Sequence, residues 1–311
     1  MPEVLRPMST GELLDRTFAL YRKNFKLFVG IATVGPAAYL LFQLLLVGSV
    51  GLSAATGRAG AFAGASFGIG MLAGVLIMLA GTAIAHAATV KAVAAVHLGL
   101  PITIGGAYKS LKGKLWRILG VFLVVILLVF VGAVIIVIVA SILGSLAVIG
   151  GAQAGRAGTV LGILGAIVAA VIGAMLAITI YVRYALAVPA CVVEDTGVLA
   201  SLKRSAFLSK GSRSRILAVY SVFFILALVV ALALGGLVGL ISILIPNVIT
   251  KLILNSLAGF VAGSLTGPLA TIGIALVYYD ERVRKEAFDL QWMMASLDSP
   301  APAPAVVIAQ I

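Results

Sequence analysis

Long apolar runs alternate with short polar segments along the chain. Six of the runs reach the roughly 20 residues that a helix needs to cross the hydrocarbon core of a bilayer. They cover approximately Leu27–Val50, Phe67–Val90, Ile118–Leu146, Thr159–Ala187, Ile216–Ile245 and Leu252–Tyr279. The strands of a membrane β-barrel would alternate between apolar and polar side chains, which these runs do not do. The pattern therefore predicts an all-α polytopic integral membrane protein with six transmembrane helices.

Composition indicates that lipid is the solvent for most of the chain. Hydrophobic residues make up 62% of the 311 residues and charged residues only 10%, whereas a soluble domain carries about 25% charged residues. Backbone groups that face lipid must be satisfied within their own segment, which favours helices. The single cysteine, Cys191, excludes an internal disulfide. Nothing in the composition calls for a cofactor.

Basic residues lie almost entirely on one side of the predicted spans. Of the 22 lysines and arginines, only Arg58, Arg156 and Lys251 fall in connections on the other side. Such an asymmetry marks the cytoplasmic side of a membrane protein, so both termini are predicted to be cytoplasmic. All ten acidic residues fall on this side as well. The net charge of +12 thus divides into +9 on this face and +3 on the other, and we expect no nucleic-acid partner.

A polar, amphipathic segment precedes each odd-numbered span. The three segments begin at Ser9, Thr103 and Thr196, and the second is expected to form a helix as far as Trp116. Ser9 and Glu12 have the spacing of a capping box, which specifies a helix start. We therefore predict three cytoplasmic amphipathic helices that lie on the inner leaflet. The alternative is that they are ordinary connecting loops that obey the positive-inside rule.

These helices would turn one face to the protein and another to the lipid head groups. The apolar face of the first segment is expected to carry Leu14, Phe18, Tyr21 and Phe25, and the inward face of the third Leu199, Leu202 and Ala206. The cations expected to contact anionic lipid are Lys109, Lys112, Lys114, Lys203, Arg204 and Lys210.

The order of segments predicts a repeated plan. Residues 1–290 would form a single membrane domain built from three pseudo-repeats, at about 9–95, 103–190 and 196–290. Each repeat would consist of an amphipathic helix followed by a hairpin of two spans. A Pro/Ala-rich cytoplasmic tail, 291–311, is predicted to be disordered.

Small residues and prolines are placed where spans are expected to pack. Gly259, Gly263 and Gly267 recur at four-residue spacing, which lets helix backbones approach closely in lipid. Such a stripe serves packing within one six-helix bundle, or alternatively a homo-oligomer. Pro36 and Pro268 are expected to kink the first and last spans, which membranes tolerate.

Few residues inside the predicted spans can carry chemistry. The spans contain no Asp or Glu, which weighs against proton- or cation-coupled transport. The intramembrane polar candidates are His86, Lys91 and Arg183. His86 is a candidate for titration or for binding a polar head group, unless a neighbouring helix simply satisfies it. Two histidines and one cysteine are too few for a closed zinc site without carboxylates, so no metal is expected.

Three longer motifs stand at the two ends and in the middle of the chain. They are Arg6-Pro-Met-Ser-Thr-Gly-Glu-Leu-Leu-Asp-Arg-Thr-Phe-Ala-Leu-Tyr-Arg, Val188-Pro-Ala-Cys-Val-Val-Glu-Asp-Thr-Gly with Ser201-Leu-Lys-Arg-Ser, and Tyr278-Tyr-Asp-Glu-Arg-Val-Arg-Lys-Glu-Ala-Phe-Asp-Leu. Together they resemble the bacterial glycerophosphoryl diester phosphodiesterase membrane-domain family. The resemblance implies a multi-pass protein of the bacterial cytoplasmic membrane, with an anchoring or membrane-associated role and no established reaction. Some relatives add a soluble phosphodiesterase barrel, for which the 21 residues after Leu290 leave no room.

The expected function is therefore non-enzymatic. We expect a membrane-anchoring or accessory protein whose cytoplasmic face contacts anionic lipid or a protein partner. One alternative is a transporter or channel for a small solute or a lipid, which a polar cavity at the membrane midplane would favour. The other is a membrane-embedded enzyme acting on lipid head groups, with Glu194, Asp195, Asp280 and Arg183 clustered around a pocket.

The predicted topology can be tested with a reporter that fluoresces only in the cytoplasm. Fusion after Leu290 should give a bright reporter, and insertion near Arg58 or Arg156 a dark one, because the basic residues orient the chain. Fluorescence at Arg156 would contradict the two spans predicted between 118 and 187.

Overall fold

The computed structural model describes residues 7–56, 61–97 and 99–287, and it is helical with no strand in these ranges. Six helical segments are long and apolar enough to cross a membrane, which confirms the predicted number and fits a multi-pass membrane protein. Arg58 and the tail, 291–311, lie outside the described residues, so their predictions stay open.

Ten helices follow one another. They are α1 (Thr10–Lys23), α2 (Phe25–Ala32), α3 (Val34–Thr56), α4 (Ala61–His97), α5 (Ile104–Lys109), α6 (Leu115–Tyr184), α7 (Ala187–Glu194), α8 (Val198–Leu208), α9 (Arg213–Ile243) and α10 (Val248–Glu286). The candidate spans are α2 with α3, α4, the two halves of α6 (the second continuing into α7), α9 and α10. The short helices α1, α5 and α8 lie at one end of the bundle together with the last turns of α10. We call this the charged end.

The 70-residue helix α6 holds the third and fourth spans in one continuous helical element. In a straight helix, Ile136 and Gly173 would lie about 55 Å apart. The Ile136 side chain instead packs so tightly against Gly173 that a Cβ there would overlap it, and Ile180 contacts Gly132. The two halves therefore lie side by side, and the chain reverses between them. That the six spans form three similar hairpins, one in each pseudo-repeat, stays a prediction.

The last helix is the centre of the bundle. Of the most apolar window of α10, 61% is buried inside the molecule, against 6% for each half of α6. Helix α10 packs extensively on α9 and α3, and α3 packs on α4. Helix α6 contacts α4, α8 and α9, but among the described residues it does not touch α3 or α10. Ile118 and Val121 near its start are buried, whereas Phe130 and Ile135 are exposed, so α6 joins the bundle mainly at the charged end.

Two of the three predicted helix starts at the charged end, at Ser9 and Thr103, are confirmed, whereas the third helix starts at Val198, two residues after the predicted Thr196, without a side-chain cap. Ser9 Oγ accepts a hydrogen bond from Glu12 N at 3.2 Å, and Glu12 Oε2 accepts one from Ser9 N at 2.7 Å. Thr103 caps α5 through Gly106 N at 3.1 Å. The prediction that this second helix reaches Trp116 is wrong, because α5 ends at Lys109 and Gly113 takes a positive φ of 80° in the turn that follows.

The faces predicted to be buried on these helices are partly wrong. Helix α1 buries Leu13 and Thr17, while Phe18 is 40% exposed and lies against Phe223. Helix α8 buries Leu202 as predicted, but Leu199 is 73% exposed. Serine and threonine replace the predicted apolar residues because their hydroxyl groups bond to helix carbonyls and need no water.

Side-chain hydroxyl groups also donate hydrogen bonds to backbone carbonyl groups near three prolines. Tyr108 donates to Ile31 O beside the break between α2 and α3, which precedes Pro36. Tyr21 donates to Leu265 O at 2.7 Å, three residues before Pro268 in α10. Ser205 and Ser209 donate to Arg183 O at 2.9 and 3.1 Å where α6 ends ahead of Pro189. Such contacts satisfy carbonyl groups that lipid cannot.

The reversal inside α6 can be tested with a disulfide. A Cβ atom at Gly144 would lie 3.9 Å from Ala166 Cβ, within the range that a disulfide bridges. In a Cys191→Ala background, Gly144→Cys with Ala166→Cys should form an intramolecular disulfide, detected as protection from a thiol-reactive mass tag. Gly144→Cys with Gly165→Cys is the matched control, because Gly165 has no atom within 4 Å of its Cβ position. Equal oxidation of both pairs would contradict the packing.

Candidate functional site

Ion pairs gather where the last turns of α10 meet α7, α8 and the start of α9. The participating side chains, which we call the ion-pair cluster, are Glu194, Arg204, Arg215, Asp280, Glu281, Arg282, Arg284, Lys285 and Glu286. Four carboxylates thus face five cations, so the cluster is close to neutral and tolerates burial.

Asp280 and Glu281 are the most deeply buried members, with side chains 0% and 1% exposed. Arg215 on α9 pairs with both carboxylates. Asp280 also accepts from Arg284 Nε at 2.7 Å, and Arg284 in turn donates to Met8 O at 2.6 Å. Met8 N donates to Asp280 Oδ1 at 2.6 Å. This half of the cluster ties the segment ahead of α1 to the end of α10.

The second half of the cluster is centred on Arg204 of α8. Its Nε lies 2.8 Å from both Glu194 carboxylate oxygens, and its terminal nitrogens pair with Glu286. Tyr278 donates to Glu194 Oε1 at 2.6 Å, and Arg282 lies 3.2 Å from Glu286 Oε2. Burial acts to lower the pKa of Arg204, but hydrogen bonds to Glu286 and Glu194 outweigh it and raise that pKa above its usual value. Arg204 therefore keeps its positive charge.

Lys285 links α10 to the end of α8. Its Nζ lies 3.3 Å from Glu281 Oε2 and donates to Leu208 O and to Lys210 O, the latter at 2.7 Å. A cation at a helix C-terminus satisfies orphan carbonyls and interacts favourably with the helix dipole.

The six predicted lipid-contacting cations fall into two groups. Arg204 lies inside the ion-pair cluster, and Lys114 lies 2.9 Å from Asp195, so both charges are already compensated. Arg204 was expected to point outward, which is wrong, because two carboxylates on neighbouring helices hold it. The remaining four are exposed, and no ion pair within the described part of the chain reaches them: they are Lys109, Lys112, Lys203 and Lys210.

Of the four residues expected for a head-group enzyme, only Glu194 and Asp280 lie in the ion-pair cluster. Asp195 pairs with Lys114 and with Arg117 Nη1 at 3.1 Å. Arg183 is exposed, with its guanidinium carbon 5.6 Å from the centre of the Tyr184 ring. Glu194 and Asp280 are held by the arginines of the cluster, which engage their carboxylate oxygens. Among the described residues, no group of three or more potential ligands is arranged to hold a metal ion.

A groove lies between α3, α4 and α10, at mid-length of the spans Phe25–Gly48, Met71–His97 and Val248–Glu286. Its volume is about 320 Å³. The lining includes Pro36, Tyr39, Thr82, His86, Gly259, Gly263 and Gly267. The predicted glycine stripe therefore packs on α3 only in part, since Gly263 contacts Pro36 while Gly259 and Gly267 have no atom within 4 Å of their Cβ positions.

The other intramembrane candidates have separate positions. His86 lines the groove, and its Nδ1 is buried with no hydrogen-bond partner among the described residues. Lys91 is half-buried, more than one turn further along α4 towards the charged end.

Sequence reasoning missed the ion-pair cluster, although Asp280, Glu281 and Arg284 stand together in the sequence. The i,i+4 spacing of these residues could have indicated the pairs on α10, but not the partners on α8 and α9.

The role of Arg204 can be separated from that of its neighbour by substitution. Arg204→Gln should lower the free energy of unfolding by about 2 kcal/mol or more, because Glu194 and Glu286 lose their main partner. Lys203→Gln, one residue away and exposed, should change it by less than about 0.5 kcal/mol. Equilibrium unfolding in mixed detergent measures both. Equal stability of the two variants would contradict the assignment of Arg204 to the cluster.

Comparisons of the chain with known protein families, with curated proteins and with solved structures find no match. The resemblance to the glycerophosphoryl diester phosphodiesterase membrane domains consequently stays a prediction.

Proposed function

We propose that the chain is a non-enzymatic membrane-anchoring or accessory protein that binds anionic lipid at its cytoplasmic face. The observation that carries the proposal is the group of four exposed, unpaired lysines, Lys109, Lys112, Lys203 and Lys210. In this proposal the charged end faces the cytoplasm of a bacterial cell, in line with the positive-inside rule and with the family resemblance.

Exposed apolar side chains accompany these lysines. Trp116 is 86% exposed, and Leu199 and Phe207 are exposed on α8 beside Lys203. Large apolar side chains next to cations are typical of surfaces that sit at the head-group level, where the ring or chain enters the acyl boundary and the cation stays at the phosphates. On the first segment, Phe18 and Phe25 are also exposed, though less so.

Electrostatics favours lipid over a reaction at this face. The cluster neutralises its own carboxylates, so the exposed surface is left with cations. Each lysine near an anionic leaflet contributes on the order of 1 kcal/mol, which falls off within a Debye length. The enzyme alternative has less support, because Arg183 and Asp195 lie apart from Glu194 and Asp280 in their contacts.

Retention of phosphatidylglycerol by the purified protein tests the proposal. A variant with Lys109, Lys112, Lys203 and Lys210 changed to Gln should retain at least about tenfold less phosphatidylglycerol at low salt, with a smaller difference at high salt. Lys114 and Arg204 are left intact because their ion pairs hold the fold. Retained lipid is measured by native mass spectrometry at two ionic strengths.

The matched control changes the same four lysines to Arg, which keeps the charge. This control should retain phosphatidylglycerol as the unaltered protein does, and phosphatidylcholine should bind all three proteins alike. Equal phosphatidylglycerol retention by the Gln variant and the unaltered protein at low salt would show that the lysines serve topology alone.

A further inference from the structure

The groove between α3, α4 and α10 exists because glycines on α10 leave space between the helix backbones. Gly263 brings α10 against Pro36, with its Cβ position 3.1 Å from Pro36 Cγ. One turn to either side, Gly259 and Gly267 leave open space where any other residue would place a Cβ. The helices thus touch at one glycine and enclose space beside it. At about 320 Å³, this space is at the lower end of the range for small-molecule sites.

The lining of the groove selects an uncharged and largely apolar occupant. No lysine, arginine or carboxylate lines it. Its threonine hydroxyls are used by their own helices, since Thr82 donates to Met78 O and Thr89 to Ala85 O, both at 2.8 Å, and Thr271 donates to Gly267 O. What remains towards the groove is mainly carbon, as on Pro36 and Met78.

His86 is the exception in this lining. Its Nδ1 is buried and has no hydrogen-bond partner in the described part of the chain. Buried polar atoms are nearly always paired, so an unpaired one requires an explanation. The ring lies in the wall of the groove, and a 180° flip about its Cβ–Cγ bond would exchange the positions of Nδ1 and Cδ2. An oxygen atom on a bound molecule would satisfy this nitrogen.

A second cavity of about 250 Å³ adjoins the groove and shares Tyr39 and Gly259 with it. Its lining is more polar and includes Gln43 and Asn255. Tyr39 Oη accepts a hydrogen bond from Gln43 Nε2 at 2.6 Å. Tyr39, Gly259 and Gly267 are exposed, and all three lie within helices that are long and apolar enough to span a membrane. The space therefore runs along the bundle and opens to the bilayer.

We propose that this groove binds an uncharged long-chain lipid, with its hydrocarbon chain along the glycine stripe and a hydroxyl oxygen hydrogen-bonded to His86. The bilayer side is the natural route of access, because a neutral lipid with a small polar group can reach mid-membrane depth. This site is separate from the lysines at the charged end, so the two proposals fail or succeed independently.

Photolabelling of the full chain in lipid nanodiscs tests the site. The probes are a diazirine-bearing hexadecanol and the corresponding diazirine-bearing hexadecane. Both should label peptides within 32–39, 78–89 and 259–271. Gly259→Leu with Gly267→Leu should abolish this labelling, because both side chains fill open space in the groove. Gly239→Leu on α9 also has open space around its Cβ position, lies outside the groove, and should leave labelling unchanged.

His86→Leu separates the hydrogen bond from the cavity. Labelling by the hexadecanol probe should fall about fivefold, the effect of one hydrogen bond, while labelling by the hexadecane probe stays the same. Retention of phosphatidylglycerol, measured on each variant, confirms that the charged end is intact. Equal groove labelling in the filled and control variants would overturn the site. An unchanged response of the hexadecanol probe to His86→Leu would overturn the assigned hydrogen bond.

Discussion

Charge burial at one end of the bundle is the constraint on which the rest of the structure depends. Helices in lipid gain little from hydrophobic contact with one another, so polar contacts and close packing must hold them together. Asp280 and Glu281 are withdrawn from solvent at the end of the central helix, and such carboxylates are tolerated only with cations beside them. Arg215 from α9 and Arg204 from α8 supply the pairing that fixes these helices to α10 and α7.

Away from the charged end, α6 is less buried by the other helices. Helix α6 is buried near Ile118 and Val182 but exposed along most of its length. The glycine stripe of α10 sets how closely α3 and α4 approach α10. The helices are in contact at Gly263, and space remains at Gly259 and Gly267. The same molecule thus presents a charged surface held by ion pairs and, away from it, a groove between spans.

Hydropathy and capping patterns predicted the six spans and the start of α1, because span length and the Ser9–Glu12 spacing are local properties. The buried faces were less accessible to prediction. In a membrane protein an apolar residue such as Leu199 can face lipid, while Ser205 can be buried through a backbone carbonyl, so polarity does not identify the inner face. The inward position of Arg204 depends on Glu286, which is 82 residues away in the sequence. The sequence also did not indicate that only Gly263 packs against Pro36, because all three glycines recur with the same four-residue period.

A double-mutant cycle between Arg215 and Asp280 tests the central claim most directly. The free energies of unfolding of the unaltered protein, Arg215→Gln, Asp280→Asn and the double variant are measured in mixed detergent. If the buried ion pairs fasten the charged end, the two single effects should be strongly non-additive, with a coupling energy on the order of 2 kcal/mol. Additivity within about 0.5 kcal/mol would contradict the account, because residues in direct contact that hold the fold together must depend on each other.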